Sequence, residues 1–131
     1  MLVLIADDCE DTCEVLSAFL RMEQHKVDYA LTSHHALELA VAQRYDIILM
    51  VLWLPEVDGY SLAKPMRSLR AHESHPRIIE LSGAPYDPSH PCAQAAAFDG
   101  FVGKPVDMIV LGQALSSLPL GWVSSERYIN P

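Results

Sequence analysis

Apolar residues along the chain gather in short runs that alternate with stretches of helical spacing. "LVLIA" at 2–6 is a continuous apolar run bounded by acids, the mark of a strand buried on both faces. From Asp11 to Glu23, Thr12, Leu16, Phe19 and Leu20 recur at helical spacing. "KVDYALT" (26–32) predicts a second strand, after which Ser33 caps a helix running through Gln43. "DIILMVL" (46–52) predicts the central strand and "RIIELSG" (77–83) a fourth. A helix follows Asp58-Gly59, where Pro65 would cost about 3 kcal/mol in the interior. The expected solution is a late start, with Pro65 in the first turn. Asp87-Pro88 cap and open a short helix ending near Ala97, and "GFVGKP" holds a short fifth strand. Met108, Leu111, Leu115 and Leu118 give the apolar face of a last helix.

Five β-α units in this order imply an α/β fold: a doubly wound, five-stranded parallel sheet between two helical layers. Ligands of such sheets sit beyond the carboxyl ends of the strands, at the topological switch point. Four features fall there: Asp7-Asp8 after the first strand, Val51 ending the third, Ser82 ending the fourth, and Lys104-Pro105 after the fifth.

Composition narrows the function classes. The 131 residues, half of them hydrophobic, suit one domain with a full core, read as residues 1–118 with a tail at 119–131. The tail, with Trp122 and Tyr128, either packs on the domain or leads to a connection elsewhere. A net charge of −8 argues against a non-specific grip on nucleic acid or anionic lipid. Lys64, Arg67 and Arg70 fall near one helix face but read as a solvated face rather than a docking patch. The apolar runs are about half of the roughly 20 residues that span a bilayer. The start "MLVLIADD" lacks the basic region of a signal peptide, so a cytoplasmic protein is expected. Three cysteines (Cys9, Cys13, Cys92) without framework spacing fit reduced thiols. His34-His35, His72 and His75, and His90 with Cys92 lack the partners a zinc site needs.

"LIADD" at 4–8, "MVLWLPEVDGY" at 50–60, "LSG" at 81–83 and "FVGKP" at 101–105 resemble, in order and spacing, the signature blocks of response-regulator receiver domains of two-component signalling. The resemblance covers roughly residues 2–118 and implies a (βα)5 flavodoxin-like fold. It also implies phosphoryl transfer from a histidine kinase onto an aspartate at the end of strand three, with Mg²⁺ held by an acid pair. Asp7 and Asp8 match that pair, and Ser82 matches the hydroxyl that senses the phosphoryl group. Lys104 matches the lysine that pairs with it, Pro105 follows a cis bond in this pattern, and Phe101 takes the place of the aromatic switch residue. Val51 stands where the acceptor belongs, and Leu54 replaces a methionine.

Phosphoryl transfer needs an in-line nucleophile and cations on the equatorial oxygens. Mg²⁺ wants octahedral oxygen ligands. Valine offers no oxygen for either role, so poor Mg²⁺ affinity is expected. Asp46 lies five residues upstream, roughly 16 Å away at strand rise. Glu56 and Asp58 belong to the following loop, where the acid before Gly59 suits turn chemistry. Trp53 borders the same region.

The leading expectation is therefore a receiver that cannot be phosphorylated at the usual site and is not itself an enzyme. It would act on protein partners, a histidine kinase or a downstream signalling protein, through the face that receivers build from the fourth helix, fifth strand and fifth helix. The alternative is an ordinary receiver whose acceptor was replaced, leaving it locked unphosphorylated. A flavodoxin-like cofactor binder is the third class, but it needs hydroxyls and glycines after the first strand, and "ADDCED" is acidic there.

Overall fold

The computed structural model describes residues 1–51, 54–57, 61–62, 65–66, 76–82 and 99–116, without the side chains of Ser82, Phe101, Ala114 and Ser116. Five strands, β1 (Leu2–Ala6), β2 (Lys26–Ala30), β3 (Ile47–Val51), β4 (Arg77–Ser82) and β5 (Gly100–Gly103), form one parallel sheet. Their order is β2-β1-β3-β4-β5. Every residue of β3 is buried, which is why that run shows no alternation.

Helix α1 (Glu10–Met22) joins β1 to β2, and α2 (Ser33–Ala42) carries the chain back across β1 to β3. The direction of travel reverses between these two crossovers. Right-handed connections therefore put α1 and α2 on opposite faces of the sheet. That reversal opens a crevice at the carboxyl ends of β1 and β3. α1 buries Cys13, Leu16 and Leu20 at helical spacing, and its first turn carries Glu10 and Asp11, favourable at the positive end of the helix dipole. The last helix spans Met108–Ser116 and buries Leu111 and Leu115. Leu118, the expected helix at 87–97, the Lys64/Arg67/Arg70 face, His72, His75, His90, Cys92 and the tail 119–131 lie outside the described residues.

Two local expectations are corrected. Ser33 is not the cap of α2: Thr32 has the extended backbone of an N-cap, and its Oγ1 accepts the N–H of His35 at 3.2 Å. Ser33 is instead buried in the first turn. Its Oγ donates to the Pro55 carbonyl at 2.8 Å and accepts the N–H of Val57 at 2.9 Å, stitching the loop after β3 to α2. Nor is Pro65 preceded by non-helical backbone, as a late start would require: Ser61 and Leu62 are helical, as are Pro65 and Met66. Leu62 and Met66, one turn apart, are both buried, and that packing offsets the bond the proline lacks.

Candidate functional site

Strand register builds the site. Ala6 lies beside Met50 and Met50 beside Glu80, which sets Val51 level with Asp7 at the carboxyl end of the sheet. Ser82 pairs with Gly103, so Lys104 is the next residue beyond that edge. The peptide bond between Lys104 and Pro105 is cis, as the resemblance implied.

Asp7 is the best anchored of these residues. It is 0% exposed, and its own N–H donates to the Ala30 carbonyl at 3.1 Å. Lys104 Nζ donates to its Oδ2 at 2.7 Å, and the Cys9 N–H donates to its Oδ1 at 2.9 Å. The buried thiol of Cys13 donates to its carbonyl at 3.4 Å. A carboxylate removed from water needs such compensation, and here both oxygens receive it. Asp8, by contrast, is exposed. Val51 is 7% exposed and packs in the hydrophobic core with Leu54. The sequence-predicted Asp7, Val51 and Lys104 therefore meet, while Asp8 stands out to solvent. The backbones of Ser82 and Phe101 lie in β4 and β5; their side chains, and Trp53 and Asp58, are outside the described residues.

Neither described stand-in for an acceptor reaches the crevice on the terms Val51 does. Asp46 precedes β3 at its opposite end, where its Oδ2 accepts the Leu2 N–H at 2.8 Å. Glu56 has a left-handed backbone (φ 82°) and its Oε1 accepts the His34 N–H at 3.0 Å, tying loop to helix. The donor set does not fit Mg²⁺. Val51 brings no oxygen, Asp7 already holds an ammonium, and no three His, Cys, Asp or Glu residues come together as a metal site among the described residues.

Sequence reasoning missed three parts. The Cys9 N–H and the Cys13 thiol support Asp7, and in "DDCEDTC" only the second cysteine, one turn on, carried a side-chain signal of this. Burial pushes the Cys13 thiol up to about 12, whereas the hydrogen bond from the Thr12 hydroxyl holds the exposed Cys9 thiol below its ordinary value. Glu80 is 3% exposed in mid-strand, its Oε1 has no hydrogen-bond partner among the described residues, and burial raises its carboxyl to about 7. A lone acid inside "RIIELS" was the clue. Beside the crevice, Val15 and Leu16 of α1 face Val106 and Met108 across a groove of about 320 Å³ that Asp11, Thr12, Lys104 and Pro105 also line.

Solved structures share this architecture. A two-component response regulator from Clostridium difficile superposes with a TM-score of 0.80 at 23% identity, covering 100% of this chain and 99% of that one. A CheY-like receiver domain from Methylobacillus flagellatus gives 0.79 at 27% identity, covering 89% and 97%. In sequence, the chain is 27% identical over 115 residues to the sensor histidine kinase AtsR of Burkholderia thailandensis, covering 88% of this chain and 19% of that protein. It is 31% identical over 103 residues to the transcriptional regulatory protein SrrA of Staphylococcus aureus, covering 79% and 41%. The chain thus spans less than half the length of these two curated relatives. The family model of the response regulator receiver domain matches residues 3–116, and with five parallel strands in the order 2-1-3-4-5 the chain belongs to that family, the receiver domains of two-component signalling.

Proposed function

We propose that this receiver works without aspartyl phosphorylation, as a protein–protein interaction module rather than an enzyme. One observation carries the reading: at the carboxyl end of β3, level with Asp7, stands Val51, a buried hydrocarbon side chain. No lone pair is available there to attack phosphorus; Asp46 lies at the opposite end of β3, and Glu56 is engaged with the His34 N–H. The unit is residues 1–118, with 119–131 as an appended tail, and the protein acts in the cytoplasm. Its partner is a histidine kinase or a downstream signalling protein, engaged through the fourth helix, fifth strand and fifth helix. Without an acceptor, the conformational balance answers to a partner or another ligand that binds one state more tightly.

Intact-mass measurement after treatment with acetyl phosphate and Mg²⁺ tests this. No phosphoryl adduct is expected, and an adduct on any carboxylate overturns the reading. A second reading is favoured by the retained Asp7 and Lys104: an ordinary receiver locked unphosphorylated by the loss of its acceptor. Rapid acyl-phosphate formation in a Val51→Asp variant would select it.

A further inference from the structure

We infer that the ammonium of Lys104 is the resident cation of this pocket. In this inference the Asp7–Lys104 pair replaces a divalent metal and permanently fixes the turn after β5 to the end of β1. The inference goes beyond the phosphorylation reading and does not depend on it.

A fully buried carboxylate demands a counter-charge, and Lys104 Nζ at 2.7 Å supplies it. The other oxygen is occupied by the Cys9 N–H. An incoming Mg²⁺ would meet an ammonium already bound to its ligand, a hydrocarbon at Val51 and an exposed Asp8. Mg²⁺ gives up its waters reluctantly, and nothing in that set repays the loss. Lysine suits this position because it is a compact point charge on a long stem. Its side chain is 28% exposed, so the stem reaches inward from the surface.

The pair joins residues 97 apart in the chain. Lys104 also lines the groove where Val106 and Met108 face α1, so the same contact sets that wall of the groove. Lys104 is thus a positioning residue. Because the cation is part of the chain, this contact does not depend on a metal being bound.

Thermal melting of the full chain, with and without millimolar MgCl₂, tests the inference in three proteins. The wild-type midpoint is expected not to move with Mg²⁺. Lys104→Gln should melt several degrees lower, and Mg²⁺ should raise its midpoint, because the freed Oδ2 of Asp7 then needs a cation. The Asp7→Asn/Lys104→Gln double variant should recover part of the loss and ignore Mg²⁺. A wild-type midpoint that climbs with Mg²⁺ overturns the inference. So does a Lys104→Gln variant that melts like the wild type or stays blind to Mg²⁺. If Lys104→Gln does not fold, the double variant decides: folding restored by removing the charge supports the ion pair as the reason, and failure to fold overturns it.

Discussion

Lys104 Nζ and Asp7 Oδ2 lie 2.7 Å apart, yet the two partners are unequally placed: the carboxylate is sealed from solvent and the lysine is not. Removing one partner therefore differs from removing the other. Lys104→Met strands a buried charge, whereas after Asp7→Asn the ammonium can swing into water. Breaking a fully buried pair costs about 3–5 kcal/mol. Partial exposure of the lysine lowers this to about 2 kcal/mol for Lys104→Met, with about half of that for Asp7→Asn. Urea unfolding of both variants checks the order, and equal losses would mean that the pair does not act through Asp7's burial.

Val51→Asp places a carboxylate where a side chain is 7% exposed and level with Asp7. In chelator the variant should lose about 2–3 kcal/mol, the scale of burying a polar group without adequate partners. It also gains the oxygen that a divalent ion lacks in the wild type. Saturating Mg²⁺, at about a hundred times the dissociation constant, should return roughly 2.7 kcal/mol. Denaturation midpoints in chelator and in Mg²⁺ check both halves; a variant indifferent to Mg²⁺ would show that Asp7 and the new carboxylate do not converge.

Much of this was legible in the residues, for identifiable reasons. The buried strands announced themselves because parallel strands covered on both faces are runs such as "IILMV", and β3 as observed sits inside the predicted 46–52. The site's corners followed from the fold, since residues after successive strands share one edge. Thr32 and Ser33 were not separable, because adjacent hydroxyls are equivalent caps by local chemistry. What assigned them was the loop at Pro55–Val57, more than twenty residues away, which needs the Ser33 hydroxyl. Pro65 was misplaced for a related reason: the burial of Leu62 and Met66 is tertiary and outweighs a local penalty. Neither could the sequence show that Lys104 would settle on Asp7 rather than point toward position 51.

Ser33→Ala should cost about 1–2 kcal/mol, because it removes the hydroxyl partner of the Val57 N–H and of the Pro55 carbonyl at a part-buried site, the carbonyl keeping only the Ser33 N–H. Thr32→Ala removes one capping bond at the start of α2 and should cost about 1 kcal/mol. Chemical denaturation ranks them. Faster amide exchange at Val57 in Ser33→Ala alone is the sign that the hydroxyl holds the loop; equal exchange in both variants would assign the effect to α2 itself.

Glu80 provides the pH-dependent test. Burial raises its carboxyl to about 7 from 4.5, so between these values the folded state keeps a proton that the unfolded chain has released. Folding then binds protons, and the contribution of this group to stability falls as pH rises through that window, levelling off above about 7. A shift of this size corresponds to about 3 kcal/mol. Glu80→Gln keeps the shape and has no charge to bury. Its stability relative to wild type should therefore be near zero at the acid end and climb by about 3 kcal/mol in its favour above neutral pH. Urea titrations of the two proteins across that range measure the difference directly, with other titrating groups cancelling because both proteins share them. A flat difference curve would mean that Glu80 finds a partner or water when ionised, and that its place in the middle of β4 carries no electrostatic cost.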